Sequence, residues 1–303
     1  MFFFLIPLQV HFLRKGRQAF FNSLAISFGV ILIVKIIASR GTSLSQAGPF
    51  LLTEGFILSV LMIGLLLVNT KNDLPYLKQI PGRLIALIAA TAGTGLLSVP
   101  LILYLKQNKI FTQALALNFE TLSTYLNTTF GQGEIIKQFF QADELRLLSG
   151  IVFFRSYLFY YFLLLCFSWW AGSKIGARSL RRKANFIRLI DFKIPDHYIW
   201  PLIGSLALIL INTIVNLGVL QYLAWNVLLV VAFLFGLEGI GIMRHFFDRY
   251  KLPRGLRITL GILLIILALS PRINVIVLIL IPGLGVSEIW LKYRTRERSE
   301  NTP

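Results

Sequence analysis

Acidic residues are scarce: 13 Asp and Glu stand against 30 Lys and Arg in 303 residues, and charged residues of both signs make up only 14%. Soluble domains carry about 25% charged residues, so a soluble globule would leave far too much apolar surface in water. Cysteine occurs once, at Cys166, which excludes an intrachain disulfide and a cysteine-ligated metal cluster. Cys166 lies among Leu and Phe, where a small buried hydrophobe is expected. The three histidines, His11, His197 and His245, are not at metal-ligand spacing. A P-loop is absent, so the chain does not use ATP by that route, and GxSxG, HExxH and paired cysteines are absent as well. A lipid-modifying enzyme would need acidic or histidine groups gathered at an interface, and only Asp191, Asp196 and His197 come near that. No catalytic role, metal or cofactor is expected.

What is abundant is apolar. Hydrophobic residues are 56% of the chain and the mean hydropathy is +0.74. The fold class this implies is all-α, a polytopic transmembrane helix bundle. About eight full spans follow a short N-terminal apolar segment, Met1–Leu13. The expected spans are 19–38, 49–68, 84–105, 148–171, 200–220, 224–247, 256–269 and 274–291, each set against the ~20 apolar residues that cross a bilayer. Met1–Leu13 is too short to span and lacks the basic start and cleavage site of a signal peptide; it is a half-helix or the end of a longer span. Residues 1–291 form a single integral membrane domain and 292–303 a polar, frayed tail. Within the domain, residues 106–147 read as two short amphipathic helices, with Phe111, Leu115, Leu122 and Leu126 at helical spacing.

The basic residues are placed, not scattered. Twenty-two of the 30 Lys and Arg fall in one set of alternate loops and six in the other. The positive-inside rule puts the richer set, including the 173–199 loop and the C-terminus, in the cytoplasm. Segment 106–147 is then extracytoplasmic. The location expected is the bacterial inner membrane, with anionic lipid meeting the basic loops. A net charge of +17 would suggest nucleic acid in a soluble protein, but here the membrane accounts for it.

Intramembrane polar groups are the candidate substrate-binding residues. Glu238 is the foremost: an ionisable group at that depth costs a few kcal/mol unless paired, neutral or facing water. Gly236, Gly239 and Gly241 flank it and let another backbone come close. Its roles are to bind a cation or polar solute, to carry a proton, or to pair with Arg155 or another polar group. Asn212 and Asn216, four apart on an expected helix, share a face. Glu54 lies near the outer end of its span, as does Arg155, and Lys35 is close enough to a span end to snorkel. Glu288 is expected to meet Lys292, its i+4 neighbour.

Several of these features occur in an order that resembles the YybS-like family of bacterial membrane proteins, a domain of unknown function. They are Pro7-Leu8 before a basic turn with Gly16, the 111–147 segment, the aromatic span leading to Arg178–Lys183, and Phe192-Lys193-Ile194-Pro195 ahead of Trp200. Asn226, Leu237-Glu238-Gly239 and a closing helix ending in Tyr293-Arg294 complete the set. Two features depart from it: the N-terminus is one helix short, and Glu stands at 238 where Gln is expected. The resemblance implies a distant similarity to the substrate-binding components of energy-coupling-factor vitamin transporters. It then implies an outward-opening pocket under 106–147 and separate ATPase and coupling subunits. A membrane scaffold or envelope assembly factor is the alternative function.

Overall fold

The computed structural model describes residues 4–38, 44–69, 82–130, 140–180, 189–270 and 273–294. Among these residues there are helices and turns and no strands. The chain divides into two compact units, Met1–Ala184 and Asn185–Pro303. Seven helices among the described residues are long and apolar enough to cross a membrane.

Among the described residues the first unit holds five helices: α1 (Leu5–Ala38), α2 (Leu44–Asn69), α3 (Gly82–Gln107), α4 (Lys109–Phe130) and α5 (Ala142–Ser179). Helix α1 is two helices joined at Gly16, where φ is 83°. This left-handed conformation is open to glycine and costly to residues with a Cβ, so the short N-terminal apolar segment becomes a half-helix that doubles back. Phe12 and Phe20 close the bend, edge to face at 5.6 Å. At the far end of α1, Lys35 reaches the Glu54 carboxylate of α2 at 2.6 Å. Asn108 separates α3 from α4. Its side-chain oxygen accepts from the Phe111 N–H at 3.0 Å, an N-cap that satisfies one of the orphan donors of α4.

The 106–147 segment differs from its expected form. Its first part is one helix of 22 residues, α4. The second amphipathic run falls partly on 131–139, outside the described residues. Residues 142–147 already belong to α5, whose 38 residues extend about 57 Å at 1.5 Å per residue. That is nearly twice the hydrocarbon thickness, so α5 carries the aromatic span well beyond 148–171 at both ends. Residues 173–179, expected to begin a basic loop, are its last two turns.

The second unit holds α6 (Ile199–Asn212), α7 (Val219–Arg249), α8 (Arg254–Leu269) and α9 (Asn274–Leu291), preceded by 3-10 turns at Leu189–Asp191 and Asp196–Tyr198. Helix α7 is central and packs on α6, α9 and the first turn. Its contact with α9 is a glycine crossing. A Cβ at Gly239 would run into the Ile281 carbonyl, and one at Gly285 would run into the Phe235 carbonyl. The two backbones therefore touch, with Cα–H groups facing carbonyls. Gly236 meets Pro282 at the crossing, and near the end of α7 Phe246 meets Tyr293, just past the end of α9, with ring centroids 5.5 Å apart, so α7 and α9 run parallel.

The span expected at 200–220 ends earlier, at Asn212. Asn212 and Asn216 do not share a helical face. Asn212 Oδ1 accepts from the Leu217 N–H at 3.0 Å, and Asn216 Oδ1 accepts from the Gly218 N–H at 3.0 Å. Asparagine side chains offer the backbone these local alternatives to a helix, and Gly218, with φ 57°, completes the turn into α7.

Candidate functional site

Among the described residues, buried charge concentrates in the second unit, where Glu238 of α7, Glu288 of α9 and Arg294 meet. Glu238 and Glu288 are 2% and 3% exposed. Three features build the cluster locally. The Gly239–Gly285 crossing holds α7 and α9 in backbone contact one residue from Glu238. At Gly241 a Cβ would strike the Leu189 carbonyl, with the Arg294 guanidinium in van der Waals contact beside it, so glycine leaves room for the 189–194 segment. At the end of α9, Lys292 takes a left-handed conformation (φ 45°). This turns the chain back, and the N–H groups of Tyr293 and Arg294 donate to the Glu288 carboxylate at 3.0 and 3.4 Å.

Arg294 is the hub. Its Nη2 donates to Glu238 Oε1 at 2.7 Å and its Nε to Glu288 Oε1 at 3.0 Å. Its Nη1 donates to the carbonyls of Ile190 and Phe192 at 3.1 and 2.8 Å. The second oxygen of Glu238 accepts from the Ile194 N–H at 3.2 Å. All four carboxylate oxygens therefore have donors. Only the planar five-donor fork of arginine serves two carboxylates and two carbonyls at once. Chemically the cluster is a clasp: it ties the 190–194 backbone and the chain end after α9 to two adjacent helices. Two carboxylates stand against one guanidinium, so the fully ionised cluster carries a net charge of −1.

Of the expected candidates, only Asn212 and Asn216 share a unit with Glu238, and they do not gather around it. Glu54, on α2, is paired with Lys35. Arg155 is half-buried on α5. Both belong to the first unit. In the second unit, Asn212 Nδ2 donates to Gln221 at the start of α7 at 2.9 Å, and Glu238 lies about 26 Å further along that helix at 1.5 Å per residue. The cation that meets Glu238 is Arg294, from the stretch expected to be a frayed tail. Its 12% side-chain exposure shows the tail ordered at least this far. The sequence signal for it was present: two acids inside apolar helices, and an arginine just past the end of one of them.

A second polar cluster, in the first unit, was not singled out from sequence. Gln9, fully buried on the half-helix, exchanges amide hydrogen bonds with Asn69 at 2.9 and 2.6 Å and donates to Ser173 Oγ at 3.2 Å. Gly172 gives the half-helix room, since a Cβ there would meet Gln9 and the Ile6 carbonyl. Further along α5, Tyr161 donates to the Val60 carbonyl at 2.7 Å and bonds Thr94, and Tyr157 bonds Ser98 at 3.0 Å. The available signal was Gln9 itself, a long amide inside an apolar stretch.

No match is found among curated proteins or among solved structures. A family model does match, over residues 1–284. The helical, apolar build and the matched length agree, and the chain belongs to the family described as Predicted membrane protein (DUF2232).

Proposed function

We propose that this chain is a scaffold of the bacterial cytoplasmic membrane, with its C-terminus on the cytoplasmic side, serving envelope assembly without transport or catalysis of its own. The observation that carries this reading is how the buried polar groups are used. Glu238, Glu288 and Arg294 are occupied by one another and by the 190–194 backbone, and Asn212 and Asn216 are occupied in closing a turn. Groups bonded in this way fix helix ends and do not line an opening. The clasp also holds Asp191, Lys193, Asp196 and His197 exposed on an ordered segment, a surface suited to a partner protein. A photo-crosslinker placed at Lys193 should give one discrete adduct in native membranes, lost when Arg294→Gln releases the segment. Recovery of the chain alone, with no adduct, would remove the reading.

A second reading is a solute-binding component similar to vitamin-transporter subunits, working with separate ATPase and coupling subunits, as the YybS-like resemblance implies. It is favoured by the line of hydroxyls and amides along α5 from Tyr157 to Ser173. Mass spectrometry of small molecules retained by gently purified protein tests it. A solute lost on Tyr157→Phe supports it, and an empty preparation counts against it.

A further inference from the structure

The end of the first unit that holds Gln9, Asn69 and Ser173 also carries a band of cations. Arg14, Lys15 and Arg17 flank the Gly16 bend, Arg83 opens α3, and Lys174 and Arg178 lie on the last turns of α5; all six are exposed. Among the described residues no carboxylate pairs with any of them. Three lie over aromatic rings: Arg17 sits 5.6 Å from the centre of the Phe21 ring, and two others lie over indoles. The Arg83 guanidinium lies 4.9 Å from the centre of the Trp169 ring, and the Lys174 ammonium lies 4.9 Å from that of Trp170. Indoles favour the headgroup level of a bilayer, and a cation over an indole face is held there by the ring quadrupole. Two sequence-adjacent indoles of α5 thus each hold a cation, Arg83 from α3 and Lys174 from α5 itself. Arg14, held by its Nε bond to Ser179 Oγ at 2.8 Å, adds a third fixed donor group at the end of the same helix.

We propose that Arg83, Lys174 and their indoles form a site for the headgroup of an anionic phospholipid, with Arg14 and Arg178 completing its positive rim. The argument is charge complementarity: six exposed cations with no carboxylate partner among the described residues, two of them held over indoles. This inference does not depend on either functional reading above.

The test uses the full chain in detergent and native mass spectrometry, with phosphatidylglycerol and phosphatidylcholine added in turn. The wild type should retain phosphatidylglycerol preferentially. Arg83→Gln with Lys174→Gln should weaken that retention by about fivefold or more per cation removed. Lys15→Gln with Arg17→Gln, which removes the same charge elsewhere on the band, should change it much less. Equal losses from the two double variants would reduce the site to a diffuse field and overturn the proposal. So would displacement of the lipid by inorganic phosphate, which would make the occupant a free anion. Should the double variant fail to fold, Lys174→Gln alone at its exposed position carries the same comparison against Lys15→Gln.

Discussion

At Glu238 the decisive quantity is a count of charges. Two buried carboxylates share one guanidinium, so removing one negative charge restores balance, whereas removing the guanidinium leaves two unpaired acids. Breaking a buried pair from one side costs about 3–5 kcal/mol. Arg294→Gln is therefore expected to lower the stability of the purified protein by that order, read as a large fall in thermal midpoint. Glu238→Gln keeps one acceptor for the Ile194 N–H and leaves Arg294 paired with Glu288, but its amide offers no second acceptor to Arg294; it is expected to cost about 1–3 kcal/mol, less than Arg294→Gln. A larger loss for Glu238→Gln than for Arg294→Gln would show that the cluster is not held as described. The sequence made Glu238 legible as a buried acid needing a partner, because an apolar run exposes the cost of any charge inside it. Which cation answers it was not legible. The partner comes from beyond the last helix, and its approach depends on one left-handed residue, Lys292, that no periodicity signals.

At the level of elements, apolar length gave the existence of the spans but not their ends. Helix α5 runs on at both ends because Asp143, Glu144 and the 173–179 stretch are compatible with helix, and nothing in hydropathy separates a helix from its membrane-crossing part. Helix α6 stops early because asparagines spaced as on a helix were instead bonded to the backbone of a turn. Of the three glycines near 238, Gly239 and Gly241 are places of close backbone approach, whereas Gly236 meets only a Pro282 ring carbon at 3.7 Å. Their contributions can be separated. Gly239→Ala or Gly285→Ala would push a methyl into a carbonyl of the opposing helix, and backbone cannot rotate aside as a side chain does. A cost of about 1–3 kcal/mol is expected. Gly283, on the same α9, has open space where its Cβ would be, so Gly283→Ala should be neutral or slightly stabilising through helix propensity. Thermal unfolding of the three variants side by side decides it. Equal effects at 283 and 285 would mean that α7 and α9 are not in backbone contact.

For the whole molecule, the question is how many times the chain crosses, and α8 is the sensitive element. It has 16 residues, about 24 Å of helix, short of the usual thickness. The geometry of the second unit nevertheless requires it to cross. Helices α7 and α9 run parallel, with Gly236 at Pro282 and Phe246 at Tyr293, so the chain leaving α7 must return to the opposite end before α9 begins. Helix α8 is the connection that does so. Bilayer thinning or snorkelling of Arg254 and Arg257 accommodates a short span at modest cost. Five crossings then separate residue 131 from the C-terminus, an odd number, so a cytoplasmic C-terminus, as proposed from the alternation of Lys and Arg, would put position 131 on the opposite face. With Cys166 replaced by Ser, single cysteines introduced at Gln132, Ala184 and Thr302 should separate cleanly. An impermeant thiol reagent added to intact cells should label position 132 and spare 184 and 302 until the membrane is opened. Labelling of 302 together with 132 would mean an even number of crossings. The parallel packing of α7 and α9 would then have no path to form it, and the clasp at Glu238 would fall with it.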